Sequence, residues 1–329
     1  MENEIRYCRT ESGWLREFCE TPEMQRLKDV GMNCGCEYTS FPRFRNLAPY
    51  SRYRHSVGTA RIVWNFTGSR EQTLAALFHD ISTPAFAHTI DFLHGDYLHQ
   101  EYTEGRTEKM IRDSAEIMGL LEGYGVPVEA VSDYHRYPVA DNDSPRLSAD
   151  RLEYSLGNLQ NYGLRDAETL QSYYDDIRVT IAPDGAPELA FGDAQTGCRF
   201  ALDALQMSKI YVADEDRYAM QRLSELVGRA VEKGVLTMQD LYGTERPLIE
   251  ALCADEELGK AWRQFTALHE MVYAEAEAPA ADRRVIFAKK RFIDPLIAGR
   301  GRVSEIFPAF AEELNAFLQT SQEHWVCAR

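Results

Sequence analysis

The doublet His79-Asp80 sits inside an apolar run, with Leu74-Ala75-Ala76-Leu77-Phe78 before it and Ile81 after it. A carboxylate among Leu, Phe and Ile costs several kcal/mol unless a cation meets it. A second histidine stands upstream, in Arg52-Tyr53-Arg54-His55-Ser56-Val57-Gly58. An aspartate stands downstream, in Ser148-Ala149-Asp150-Arg151-Leu152-Glu153-Tyr154. His55, His79, Asp80 and Asp150 together offer two imidazoles and two carboxylates. That donor set suits one divalent metal ion (Mn, Fe, Mg, Zn, Ni or Co) and leaves positions for water and substrate. Such an ion polarises a phosphoryl oxygen and acidifies water, though two carboxylates make it a weaker acid than an all-histidine site would.

These residues need elements to hold them. Residues 11–30 read as helix on Trp14, Leu15, Phe18, Met24, Leu27 and Val30, and residues 33–50, rich in Cys, Gly, Pro and Asn, read as loop. Val57, Ile62, Val63 and Phe66 recur at helical spacing over residues 51–66. On that helix Gly58 and Thr59 lie one turn beyond His55, small enough to let a neighbour approach the imidazole. A second helix is predicted over residues 71–81. Pro84 disfavours helix at Thr83, so His79 and Asp80 are expected in its last turn. Helix is expected again over residues 103–121. Ser148 is a fair cap for a helix carrying Asp150, Tyr154 and Asn158 along one face.

Further on, residues 177–181 and 187–191 read as a hairpin with Asp184-Gly185 in the turn. Helices are expected over 195–233, 238–252, 258–276 and 303–319, a linker over 275–281 and a strand over 284–297. The expected fold class is mainly α, with a small β-hairpin or β subdomain and C-terminal helices.

At 329 residues and 44% hydrophobic content, the chain can bury a large core as one domain or two unequal ones. It contains no stretch of about eighteen apolar residues, so no membrane span is expected, and residues 1–6 lack the layout of a signal peptide. Seven cysteines without framework spacing point to free thiols and a cytoplasmic location. Cys34-Gly35-Cys36 lacks a partner pair of the kind a thiolate metal site needs. A net charge of −16 disfavours nucleic acid as a partner. A few local arginines can still make a pocket positive for a nucleotide or another small phosphate ester.

The order His55, His79-Asp80, Asp150 resembles the HD-domain phosphohydrolases. The flanks are similar to the deoxynucleoside triphosphate triphosphohydrolase branch of that superfamily. Arg52-x-x-His55-Ser56-x-Gly58 resembles its R-x-x-H-S-x-G, and residues 79–88, ending Pro84-Ala85-Phe86-Ala87-His88, resemble its H-D-x-G-H-x-P-F-x-H. Asp150-Arg151-Leu152-Glu153-Tyr154 resembles its D-[RK]-x-[DE]-Y, and Gln25-Arg26-Leu27 a motif just ahead of the core. The resemblance runs from about Thr21 to Asn161. It implies an HD-domain helical bundle, with residues 51–165 as the core, residues 1–50 packed on it and residues 166–329 continuous with it. Self-association into a homo-oligomer is expected by the same analogy. Three departures stand out: Ser82-Thr83 replaces Gly-His after the doublet, Asn158 stands where an aspartate is usual, and Gly31-Met32-Asn33-Cys34-Gly35-Cys36, near where relatives recognise sugar and base, does not align with the pattern.

The resemblance also places His88 beside the scissile bond as proton carrier, with His99 assisting and Asp80 both ligand and part of the catalytic set. Arg52 and Arg151 flank the ligands and are expected to bind phosphate oxygens. Tyr154, one turn past Asp150, is expected at a sugar. Lys289-Lys290-Arg291 reads first as a solvated strand end, with a polyphosphate or a partner subunit as the alternatives. The leading functional reading is a metal-dependent nucleotide hydrolase of the deoxynucleoside triphosphate triphosphohydrolase type. The alternatives are a phosphomonoesterase or phosphodiesterase on monophosphates or cyclic nucleotides, and a nucleotide-sensing regulator with weak or no hydrolysis.

Overall fold

The computed structural model describes residues 5–8, 13–93, 95, 106–274, 277, 279 and 282–329. His94, His99 and most of the expected 275–281 linker lie outside the described residues. The rest is mainly α, as the periodicity predicts, with two small sheets.

Three serines start the helices that matter most. Ser51, Ser69 and Ser148 stand in extended backbone, and each accepts a hydrogen bond from the amide three residues on, at Arg54, Gln72 and Arg151. Each thereby satisfies one of the amides a helix start leaves unpaired. The helices they open are Arg52–Thr67, Arg70–Phe78 and Ala149–Asn161. The first ends at Gly68, whose φ of 61° is the left-handed conformation glycine adopts without strain.

The Arg70–Phe78 helix is buried all round from Thr73 to Phe78. It stops three residues short of the expected end, so His79 caps it and Asp80 lies in the following turn. Long-range bonds override the local pattern here. The Arg26 guanidinium takes the carbonyls of Ile81 and Thr83, and the Thr83 hydroxyl donates to Asp80 Oδ1 at 2.7 Å.

Several long expected helices are broken. Residues 103–121 become Thr107–Asp113 and Ala115–Tyr124, because Ser114 turns extended and caps the second. Residues 195–233 become Ala194–Tyr211 and Asp214–Glu232, and 258–276 shorten to Glu256–Thr266. Pro308, with no amide hydrogen to donate, starts a new helix, Pro308–Gln319, after the short Val303–Ile306.

The hairpin pairs Ile177–Ile181 antiparallel with Pro187–Phe191, and Gly185 in its turn has a φ of 89°. Leu296–Ile297 joins Pro187–Phe191 in parallel and then pairs with Gly301–Arg302. The expected 284–297 strand is thus mostly irregular, with β structure at Arg284–Val285 and Leu296–Ile297. The segment between them is irregular and carries Lys289 and Arg291 to a cavity that both line.

Three apolar clusters set the frame. Val63, Leu152, Leu156, Leu159, Phe200 and Phe310 belong to one; Phe18, Leu27, Leu77 and Phe78 to a second; Phe86, Leu223 and Trp262 to a third. Each fully buried leucine or phenylalanine contributes about 1.5–3 kcal/mol. Helix Arg52–Thr67 packs against both Arg70–Phe78 and Ala149–Asn161, which carries His55 between the doublet and Asp150.

Candidate metal centre and substrate cavity

The four expected ligands converge. His55 Nε2 lies 2.9 Å from Asp150 Oδ1 and 3.1 Å from His79 Nε2. His79 Nε2 is 3.6 Å from both Asp80 Oδ2 and Asp150 Oδ1. His55, His79 and Asp80 offer ligand atoms that all lie within 4.8 Å of one another.

The remaining imidazole nitrogens decide what this cluster can hold. His55 Nδ1 faces Glu153 Oε2 at 2.7 Å, and His79 Nδ1 faces the Ala76 carbonyl at 2.7 Å. Both acceptors are met by a hydrogen on Nδ1, so in the neutral rings both Nε2 lone pairs would face each other and two carboxylates. Four acceptors so close need a cation among them, a proton on His55 Nε2 or a metal ion in its place. The donor set therefore fits a divalent ion, and the carboxylate and carbonyl behind the imidazoles are the usual orienting partners of metal-bound histidine.

Glu153 is itself held. It is 2% exposed and accepts from Tyr50 at 2.6 Å and Tyr7 at 3.3 Å. Gly58 makes room for it, since a Cβ there would stand 2.5 Å from Glu153 Oε1. Gly157 does the same for Tyr50, whose hydroxyl would be 2.2 Å from such a Cβ. The small residues beside His55 thus admit a carboxylate. Sequence reasoning missed Glu153 as a site residue, although its position three after Asp150 on one helix was the available signal.

Electrostatics follow the geometry. Burial works against charge on His55, but hydrogen bonds to Asp150 and Glu153 outweigh it and raise its pKa to about 10. Burial would raise Asp80 and Asp150, yet Arg52 and the two histidines hold Asp80, and His55 holds Asp150, well below the ordinary carboxylate range. With no ion bound, His55 therefore keeps a proton at Nε2 through the neutral range, and an ion must displace it. Metal affinity is expected to rise about tenfold per pH unit below pH 10, with one proton released per ion bound. Calorimetric titration in two buffers of different ionisation enthalpy measures that proton count.

A cavity of about 160 Å³ opens over the centre. Arg52, His88 and Tyr154 line it, as do Lys289 and Arg291. Arg52 is buried and donates to Asp80 Oδ2 at 3.0 Å, so it orients a ligand as well as lending charge. Lys289 and Arg291 reach the cavity rather than forming a solvated strand end, while Lys290 donates to the Leu318 and Thr320 carbonyls.

Arg151 is placed differently from the expectation. Its guanidinium pairs with Asp141 at 3.0 Å and Asn142 at 2.9 Å, in an adjoining cleft that shares Tyr134, Asp150, Tyr154, Lys289 and Arg291 with the cavity. At the departures from the family pattern, Thr83 bonds Asp80, Ser82 bonds Thr107 at 3.1 Å, and Asn158 donates to the Tyr211 hydroxyl at 2.8 Å.

His88 enters the cavity from a strained turn. Phe86 and Ala87 have φ of 62° and 46°, a conformation that costs side-chain-bearing residues of order 1–3 kcal/mol each. Burial of Phe86 in the third cluster offsets that cost. His88 Nδ1 bonds Asp91 Oδ2 at 2.8 Å. Burial lowers the His88 pKa, aided by Arg291 and Arg52 and opposed by Asp91, so the ring is neutral with Nδ1–H on Asp91 and a free lone pair at Nε2.

No family model matches the chain. It is similar to uncharacterized protein YdhJ of Bacillus subtilis, 25% identical over 247 residues that cover 74% of this chain and 72% of that one. It is also similar to metal-dependent phosphohydrolase cns2 of Cordyceps militaris, 26% identical over 233 residues, covering 67% of this chain and 62% of that protein. Uncharacterized protein MJ1154 of Methanocaldococcus jannaschii is 27% identical over 155 residues, 45% of this chain and 30% of its own length. The chain thus spans less than two thirds of the last two.

Proposed function

We propose that this protein is a metal-dependent hydrolase of nucleotide phosphoesters, with deoxynucleoside triphosphates the first substrates to test. One observation carries the reading: two imidazoles and two carboxylates, each imidazole already oriented through its Nδ1, converge under a cavity lined by Arg52, Lys289 and Arg291. Similarity to a protein described as a metal-dependent phosphohydrolase supports it.

His55, His79, Asp80 and Asp150 hold the ion. The bound ion supplies positive charge that polarises a phosphoryl oxygen and acidifies water. Arg52, Lys289 and Arg291 add charge-assisted contacts to the remaining phosphate oxygens. His88, neutral and with Nε2 open, takes a proton from the attacking water, a contribution of about a hundred- to ten-thousand-fold.

A second reading, hydrolysis of monophosphates, is favoured by Arg151, which is engaged with Asp141 and does not line the cavity. Elemental analysis of the purified chain, then a nucleotide screen in the matching metal, separates the two. Tripolyphosphate among the products supports the triphosphate reading, and orthophosphate the monophosphate one. A nucleotide-induced rise in unfolding temperature with no product over hours would leave a sensor in place of an enzyme.

A further inference from the structure

The cavity wall changes character along its length. On helix Ala149–Asn161, Asp150, Tyr154 and Asn158 stand four residues apart and all line the cavity. At 1.5 Å per residue they span about 12 Å, more than a phosphate alone needs. Asn158 hands the wall on to Tyr211 through its hydrogen bond. Tyr162, Asp216 and Cys34 line the cavity too.

Asp216 stands out in this wall. It is 9% exposed, and its side chain's one hydrogen bond among the described residues comes from the Cys36 thiol, at 3.7 Å to Oδ2. A thiol is a weak donor. The two cations whose charge bears on it most are engaged elsewhere: Arg217 with Asp214 and with the carbonyls of Val212 and Ile286, Arg43 with Glu215. A buried carboxyl so thinly compensated is unfavourable unless a ligand completes it. Burial pushes it up to about 8, which gives it an acceptor at neutral pH with little of the negative charge that would repel a phosphate in the same cavity.

We propose that Asp216 determines which phosphate ester the site accepts. Its carboxyl receives a hydrogen bond from an amino or hydroxyl group on the alcohol half of the ester, at the Tyr211 end of the cavity. Tyr154, Tyr162 and Tyr211 offer flat faces beside that half, as they would to a nucleobase or another ring. The proposal rests on the phosphoester reading above for its substrate class, but binding tests it even where turnover fails.

The test compares ligand pairs that differ by one donor group: adenosine and purine riboside 5′-monophosphates, guanosine and inosine 5′-monophosphates, and each ribonucleotide with its 2′-deoxyribonucleotide. Dissociation constants, and KM where turnover occurs, are measured on the metal-loaded full chain and on Asp216→Asn and Asp216→Ala. The intact protein is expected to favour one donor-bearing member by about ten- to a hundred-fold, the scale set by a buried acceptor left without its donor. Asp216→Ala is expected to bring that ratio near one, acting on KM more than kcat, while Asp216→Asn, which keeps a carbonyl acceptor, retains part of it. A structural role would weaken both members equally and leave the ratio unchanged, which would overturn the proposal. So would the absence of discrimination, or of binding, in every pair. Discriminating binding with no hydrolysis of these monophosphates or of the matching triphosphates would retire the enzymatic reading and leave Asp216 in its role.

Discussion

His79→Ala is expected to strip the metal from the protein and to lower hydrolysis by about a thousandfold or more, the several kcal/mol that a metal's charge contributes to phosphoryl chemistry. The reasoning starts from what the side chain touches. His79 Nδ1 is spent on the Ala76 carbonyl, and Nε2 stands 3.1 Å from the matching atom of His55. Removing the ring deletes one of four donors and leaves every buried charge with a partner, because Asp80 keeps Arg52. The fold should therefore survive. Asp80→Ala is the poorer probe, since it would strand the guanidinium of Arg52, 6% exposed, and breaking such a buried pair costs about 3–5 kcal/mol. Elemental analysis, circular dichroism and a rate assay on the same preparation decide the matter. A His79→Ala protein that keeps stoichiometric metal and its rate would sink the metal centre as drawn.

Glu153 should show the second large effect, split between two substitutions. Glu153→Gln keeps the size and the acceptor oxygen but removes the charge that holds His55 Nδ1–H. It is expected to weaken metal binding about ten- to a hundred-fold, the usual consequence of losing a carboxylate behind a histidine ligand. Glu153→Ala additionally strands three donors, from His55, Tyr50 and Tyr7, and leaves a void between Gly58 and Tyr50. It should lower the unfolding free energy by about 3–5 kcal/mol. Metal titration reads the first and urea denaturation the second. Glu153→Gln with wild-type metal affinity would mean that the carboxylate supports the fold alone.

Both expectations turn on a residue pair whose halves were unequally legible. The doublet announced itself, because a charged residue in an apolar run demands compensation wherever the chain folds. Glu153 stood in plain view in Asp150-Arg151-Leu152-Glu153-Tyr154, yet nothing local said that it would face His55 across Gly58. Arg151 illustrates the converse. Its position next to a ligand suggests phosphate, and in the structure it pairs with Asp141 in the cleft beside the cavity. Lys289 and Arg291 read as solvated because residues 284–297 alternate like a strand. The parallel pairing of Leu296–Ile297 with the hairpin ends that strand and leaves the preceding segment beside the cavity.

What the chain determined by itself is what depends on neighbours within a turn or two. Ser51 and Ser148 cap their helices by bonding amides three residues away, and Asp184-Gly185 closes its hairpin through glycine's free φ. The four donors and their order belong here too. What tertiary structure alone decided is which distant groups meet: Tyr7 and Tyr50 on Glu153, Arg26 on the turn after the doublet, Lys289, Arg291 and Asp216 in one cavity. Capping and periodicity are short-range and leave a mark in any few consecutive residues. The meeting of side chains more than a hundred positions apart depends on how buried helix faces pack, and no local window records that.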